Sequence, residues 1–188
     1  MKPYLTVLIP VYNEEKNIKS TVCKISEKLR GFNIDFEILI VDDGSLDDTQ
    51  KIFREMMNSA SYLRLIAHGR NLGPGSGILT GIKEAKGEFV IFIPADIAMD
   101  LNQIPKYIEA SKNTDLVIGV RSDRRDYSVF RKLVSYINIL VIKTLFGMKE
   151  RQFNYISMYK REMFNHFKIE SRSVFVTAEI MIKAKDLG

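Results

Sequence analysis

Two adjacent aspartates, Asp42 and Asp43, close an apolar run and are followed at once by Gly44 and Ser45. Carboxylates there can accept hydrogen bonds from ring N–H groups and hydroxyls, which suits a base or a ribose. Their mutual repulsion needs a helix N-terminus, a donor-rich ligand or a cation to offset it. A third acid ends another apolar run, in Pro94-Ala95-Asp96. Mg2+ and Mn2+ prefer hard oxygen ligands and often bridge a carboxylate to substrate phosphates, so one aspartate and a diphosphate can hold such an ion loosely. Asp100, four residues on, is either a further ligand or a solvated surface acid. A first run ends in Pro10-Val11-Tyr12-Asn13-Glu14, and a fifth in Gly119-Val120-Arg121, whose guanidinium is shaped for oxyanions. Plainer roles stay open beside these: Asn13, Ser45 and Asp47 as helix caps, and Tyr12 as packing.

These residues need elements that bring them to one edge. LTVLIPV (5–11), FEILIV (36–41), YLRLIAH (62–68), EFVIFI (88–93) and DLVIGV (115–120) are short, apolar and rich in β-branched residues, and read as strands. Segments of helical period separate them at 14–30, 48–58, 76–86 and 102–112. The alternation predicts a mainly parallel central sheet with helices on both faces, because short parallel crossovers need helices. Ligands of such sheets lie beyond the carboxyl ends of the strands, where these four clusters fall together with His68-Gly69-Arg70-Asn71 after the third run. After residue 121 the rhythm changes: a polar, basic loop at 121–132, a helix at 129–146 that is apolar nearly all round, a returning strand within 153–160 and a helix at 174–187. The apolar helix is either buried or lying in a membrane interface.

Several classes are disfavoured. Arg70-Asn71-Leu72-Gly73-Pro74-Gly75-Ser76-Gly77 is glycine-rich but lacks the Gly-Lys-Ser/Thr ending of a phosphate-binding P-loop, and it follows the third strand rather than the first. A phosphorylated receiver domain needs its acidic pair after strand one and a lysine after strand five, where this chain has Arg121. The lone Cys23 excludes an internal disulfide and fits a reducing, cytoplasmic setting. No signal peptide or membrane-spanning run is evident; Val134–Phe146 is the nearest, and Asn138 and Lys143 break it. With 188 residues, 46% hydrophobic and 27% charged, the chain reads as one domain, soluble or resting peripherally on a membrane. The net charge of +5 favours acidic partners such as phosphates, nucleotides or an anionic membrane surface.

The combination IPVYNEE, EILIVDDGSLDDT, RNLGPGSGILTGIKEAKGEFVIFIPAD and DLVIGVR resembles the family 2 glycosyltransferases of the GT-A fold. Within them it is most similar to the branch of dolichol- and polyprenol-phosphate mannose or glucose synthases. The likeness covers residues 4–121 closely and 121–188 more loosely, through FRKLVS, SMYKREMF and the helix containing Glu179. It implies a single catalytic domain over 1–188, with a nucleotide-sugar half at 1–121 and an acceptor half at 122–188 that ends inside what reads as a continuing unit. It implies nucleotide contacts from Pro10, Tyr12 and Glu14, and base and ribose contacts around Val41, Asp42 and Asp43. Ala95 and Asp96 would meet the ribose, diphosphate and metal, and Arg121 and Arg131 a diphosphate or acceptor phosphate. The implied cofactor is Mg2+ or Mn2+. The implied partners are a UDP- or GDP-linked sugar and a lipid-phosphate or glycan acceptor, with peripheral contact to the cytoplasmic face of a membrane, an oligomer open, and no nucleic acid. Inverting hexose transfer is the implied reaction; a degenerate nucleotide- or partner-binding protein is the alternative. Two departures bear on that choice. Pro94 stands at the first aspartate of the family's Asp-x-Asp metal motif, and Arg151-Gln152-Phe153-Asn154-Tyr155-Ile156 replaces a segment that usually opens with an acid.

Overall fold

The computed structural model describes residues 2–97, 99–121, 129–150, 152–153 and 156–187, and only the main chain of Val129, Arg131 and Lys132. Six strands form one sheet: β1 (Leu5–Val11), β2 (Phe36–Asp42), β3 (Leu63–Ala67), β4 (Phe89–Phe92), β5 (Leu116–Ile118) and β6 (Ser157–Lys160), in the order β3-β2-β1-β4-β6-β5. The β1, β2, β3 and β4 pairings are parallel, while β6 runs antiparallel to both β4 and β5. The expected mainly parallel sheet therefore carries one reversed strand, inserted between the fourth and fifth.

Helices α1 (Ile18–Arg30), α2 (Thr49–Met57), α3 (Pro74–Glu84), α4 (Ile104–Ser111), α5 (Val129–Phe146) and α6 (Val176–Lys185) flank the sheet. The period of two along each strand divides the apolar residues between its faces. Leu5, Val7 and Ile9 of β1 join Ile38 and Ile40 of β2 beneath Ile18, Val22, Ile25 and Leu29 of α1 and Phe53 of α2. Leu8, Leu39 and Val41 point the other way, with Ile82 of α3 and Val176 and Ile180 of α6. Burial on both faces is why these strands read as near-continuous apolar runs, with Thr6 and Glu37 as buried polar exceptions.

Helix α5 packs on α6 through a smaller cluster that includes Ile142, Met148, Phe153, Ala178 and Met181. Lys185 Nζ donates to the carbonyls of Phe146 and Gly147 at 2.8 and 3.0 Å, closing the C-terminal end of α5. The other side of α5 is uncovered: Phe130, Leu133, Val134, Ile137, Leu140 and Val141 are exposed.

Helix starts differ from the sequence expectation by more than one residue in four places, α3 opening at Pro74 rather than 76 and α6 at Val176 rather than 174. Residues 14–17, expected to begin the first helix, form a turn, in which Glu14 N–H donates to Thr49 Oγ1 and Glu15 N–H to Asp47 Oδ2. The helix expected at 102–112 opens as a 3-10 turn, Leu101–Gln103. Of the basic loop expected at 121–132, residues 122–128 lie outside the described residues, as do Arg151, Asn154 and Tyr155.

Candidate functional site

The chain runs β1 to β2 to β3 in one direction and then places β4 on the far side of β1. The carboxyl ends of β1 and β4 thus flank the point where strand order reverses, the usual ligand crevice of open parallel sheets. Tyr12, Asn13 and Glu14 follow β1 there, and Pro94, Ala95 and Asp96 follow β4. Asp43 N–H donates to Val11 O at 2.8 Å, so the end of β2 abuts the same edge.

Both strand ends at this crevice turn sharply. Among the described residues, Asn13 (φ 56°) and Ile97 (φ 49°) are the non-glycine residues in the left-handed region. Asparagine tolerates that conformation, whereas a β-branched isoleucine is strained in it. Ile97 N–H donates to Pro94 O at 3.0 Å, closing a turn that leaves Asp96 exposed at its tip. Thr21 Oγ1 of α1 donates to Ala95 O at 2.5 Å and holds the turn from below.

Asn13 and Ser45 do not cap helices. Asn13 N–H donates to Ser45 Oγ at 2.8 Å, and Asn13 Oδ1 accepts from Leu46 N–H at 2.9 Å. Asp47 Oδ1 does accept from Thr49 N–H at the start of α2, at 3.0 Å, while its Oδ2 takes Glu15 N–H. Burial would raise the Asp47 carboxyl, but these bonds outweigh it and hold the group below the ordinary carboxylate range. The loops after β1 and β2 are in this way tied into one unit.

The adjacent aspartates are reconciled by separate sets of donors. Asp42, fully buried, accepts from Gly44 N–H, Ser45 N–H and Gln50 Nε2 on Oδ2 at 3.1, 3.0 and 2.7 Å. Its buried Oδ1 finds no donor among the described residues. Asp43, 5% exposed, turns to the loop after β3. Its Oδ1 accepts from Leu72 N–H at 3.0 Å and lies 2.7 Å from His68 Nδ1, and its Oδ2 accepts from Gly73 N–H at 2.9 Å. His68 Nε2 meets Thr80 Oγ1 of α3 at 2.9 Å. A proton on Nδ1 satisfies both contacts, with the imidazole donating to Asp43 and accepting from Thr80. Gly44 permits this joining of loops: at φ 77°, a Cβ there would lie 2.5 Å from the Arg70 carbonyl carbon.

Of the residues singled out in the sequence, Tyr12, Glu14 and Asp96 offer surface at the crevice, and Pro10 is half-buried beside Gly77 of α3. Val41 and Ala95 are buried, Val41 paired within the sheet and Ala95 bonded through its carbonyl to Thr21. Arg121 is half-buried just past β5, two strands away from β4. The side chain of Arg131 lies outside the described residues. Sequence reasoning missed Gln152, whose carboxamide bonds the main chain of Arg121, and the Asp43–His68–Thr80 chain. Only the position of His68 at the end of β3 hinted at the latter.

For a divalent cation the donor set is sparse. Among the described residues no three histidine, cysteine, aspartate or glutamate side chains come together as a metal site. Pro94 supplies no ligand atom, and Asp100 is engaged with Asn102 N–H, Asn102 Nδ2 and Gln103 Nε2 at 2.9, 2.8 and 3.2 Å. The exposed carboxylate of Asp96 fits an ion completed by a ligand's phosphates and does not fit a cage made by protein alone.

The model of glycosyl transferase family 2 matches residues 6–177. An undecaprenyl-phosphate 4-deoxy-4-formamido-L-arabinose transferase of Pectobacterium atrosepticum is 31% identical, over 92% of this chain and 54% of its own. A dolichol-phosphate mannosyltransferase of Pyrococcus furiosus is 30% identical, over 96% of this chain and 53% of its own. The chain thus spans about half the length of these curated relatives. Glucosyl-3-phosphoglycerate synthase from Mycobacterium tuberculosis, in a crystal structure with Mn2+, UDP and phosphoglyceric acid, superposes with a TM-score of 0.73. At 22% identity, over 98% of this chain and 65% of that one, the likeness establishes the α/β GT-A fold.

Proposed function

The chain belongs to glycosyl transferase family 2, and from that membership we propose that it moves a hexose from a UDP- or GDP-linked donor to a polyprenyl (dolichyl) phosphate, with inversion at the anomeric carbon. The observation that carries the reading is the pair of left-handed turns, at Asn13 and Ile97, on the two strands that flank the switch point. Strain of ~1–3 kcal/mol persists where function requires it, and here it presents Tyr12 and Asp96 to one crevice.

In this reading the nucleoside lies across the ends of β1 and β2, between Tyr12, Glu14 and the main chain near Val41 and Asp43. Asp96 is the residue that would hold Mg2+ or Mn2+, which when bound would neutralise charge on the leaving group. An acceptor phosphate oxygen attacks the anomeric carbon as the bond to the diphosphate breaks, and the nucleoside diphosphate leaves with the bonding pair. Arg121 and Arg131 balance phosphate charge on donor or acceptor. A phosphate acceptor is already anionic, so no general base is required. The exposed apolar stripe of α5 supports an acceptor that arrives with an isoprenoid chain from a membrane surface. Among the described residues no helix is long and apolar enough to cross a membrane, so α5 would lie along the surface.

The test is transfer of labelled sugar from a panel of UDP- and GDP-sugars to undecaprenyl and dolichyl phosphate. The native chain should transfer one sugar, and Asp96→Ala should lower the rate at least about 100-fold, the scale of losing one charge stabiliser at the reacting centre. Equal rates for both proteins would remove Asp96 from the reaction. A second reading, a nucleotide-binding protein without turnover, is favoured by Pro94 at the first metal position. Calorimetric binding of UDP or GDP with no transfer to any acceptor would select it.

A further inference from the structure

We infer that Gln152 is a positioning residue for Arg121, transmitting the packing of α5 and α6 to the guanidinium group that meets a phosphate oxyanion. The inference rests on the reading of Arg121 given above. Strands β5 and β6 pair as far as Ile118 and Ser157, and Gly119 N–H donates to Ile156 O at 3.0 Å. Two residues past Gly119 lies Arg121. The carboxamide of Gln152 then takes the place of the next peptide unit: its Oε1 accepts from Arg121 N–H at 3.2 Å, and its Nε2 donates to Arg121 O at 2.9 Å.

A residue held at both its N–H and its C=O has the peptide planes on either side fixed, and with them the direction of its Cα–Cβ bond. Only a carboxamide offers one donor and one acceptor at this spacing; a carboxylate accepts at both atoms, and a thioether of similar shape does neither. A glutamine on a free loop would lose this pairing to rotamer freedom. Gln152 is restrained because the next residue, Phe153, is 2% exposed and locked among Ile142, Met148, Ala178 and Met181. A physical chain therefore runs from the α5–α6 contact through Phe153 and Gln152 to the main chain of Arg121. The same α5 presents the exposed apolar stripe, so its packing and the placing of the arginine share one anchor.

The shared ligand chemistry is a phosphate oxyanion, from either the nucleoside diphosphate or the lipid monophosphate, and two binding arms separate these sources. Calorimetry would measure UDP and GDP in one arm and farnesyl phosphate in the other, on the full chain and on Gln152→Met, Arg121→Ala and the double variant. Gln152→Met should weaken one ligand by about tenfold, the scale of two lost hydrogen bonds, and leave the other ligand unchanged. In the Arg121→Ala background the same substitution should cause no further loss, since coupled residues are not additive. Amide exchange at Arg121 should quicken in Gln152→Met, while the global melting temperature stays within a few degrees. A loss of equal size with and without Arg121, or full affinity in Gln152→Met beside a loss in Arg121→Ala, overturns the inference and leaves the proposed function standing. Unchanged binding of both ligands in Arg121→Ala overturns the oxyanion role itself, and the inference with it.

Discussion

Replacing Asp43 by asparagine separates a carboxylate that holds the fold from one that only awaits a ligand. The group is 5% exposed and accepts from Leu72 N–H, Gly73 N–H and His68. Asparagine keeps the shape but turns one acceptor into a donor. In its better orientation Oδ1 still receives Leu72 and His68, and the new NH2 faces Gly73 N–H. One hydrogen bond to a charged acceptor is lost, and two buried donors are left opposed; each such loss costs ~1–3 kcal/mol. Relief of the repulsion from Asp42 acts in the opposite sense, so the sign of the net effect is informative. We expect Asp43→Asn to destabilise the ligand-free protein by ~2 kcal/mol, a fall of roughly 4–8 °C in melting temperature for a chain of this size. Urea denaturation supplies the free energy, and amide exchange should show Leu72 and Gly73 opening ahead of the strands. A variant as stable as the native chain, or more stable, would refute the clamp, because neutralising a carboxylate that served only a ligand relieves charge without breaking anything.

Four further outcomes follow from the same geometry. Burial would raise the Glu37 carboxyl, but bonds from Arg64 at 2.8 Å, Thr6 at 2.7 Å and Lys86 N–H at 2.6 Å outweigh it and hold the group below its ordinary 4.5. Its contribution to stability is therefore full above that value and lost as pH falls through the lowered one. Denaturation midpoints between pH 7 and pH 3 should fall more steeply for the native chain than for Glu37→Gln, and parallel curves would contradict this. Gly44→Ala must force φ 77° on an L-residue and drive a Cβ into the Arg70 main chain, at a cost of roughly 3 kcal/mol by urea denaturation; a cost below ~1 kcal/mol would deny the close approach. Pro94→Asp should tighten Mn2+ binding in the presence of UDP or GDP about tenfold by calorimetry, and tight Mn2+ binding by the native chain without nucleotide would disprove the single-carboxylate site. Serine at Leu133, Ile137 and Leu140 together should cut partition onto anionic vesicles by more than about tenfold with little change in melting temperature, because all three are exposed; unchanged partition would remove α5 from membrane contact.

What could be read from the sequence is what depends on local period. The strand runs Leu5–Val11 and Phe36–Asp42 were legible because burial on both faces makes them apolar apart from the buried Thr6 and Glu37 and the terminal Asp42. The helix at Val129–Phe146 was legible from its length and composition, although not which side α6 would cover. The contacts that shape the site were not legible, because their partners stand about 25–35 residues apart. Asn13 with Ser45, Glu14 with Thr49 and Asp43 with Leu72 are bonds between loops, formed only once three strand ends lie side by side. Residues 14–17 carry enough helical character to be read as a first turn, whereas α1 starts at Ile18 and the N–H groups of Glu14 and Glu15 are tied to Thr49 and Asp47 across the chain. The insertion of β6 was hidden for a related reason: four residues, Ser157–Lys160, say strand, but nothing local says which neighbours they take.

That difference also explains why the acidic pair invites a ligand reading so readily. Viewed along the chain, Asp42 and Asp43 are two charges at one strand end with no visible donor. In the fold, three donors converge on each, all six from residues outside β2, and four of them, on Gln50, His68, Leu72 and Gly73, stand farther along the chain. The other two, the N–H groups of Gly44 and Ser45, follow directly after the pair and turn back to Asp42 through the glycine at φ 77°. Carboxylates so engaged hold two loops in place and keep little acceptor capacity beyond Asp42 Oδ1 and part of Asp43 Oδ2. A nucleoside recognised at this edge must then rely largely on main-chain groups and Tyr12, with the exposed Asp96 left to the diphosphate. Base preference should accordingly respond more to changes that move the loops, such as Asp43→Asn or Gly44→Ala, than to removal of any one exposed side chain.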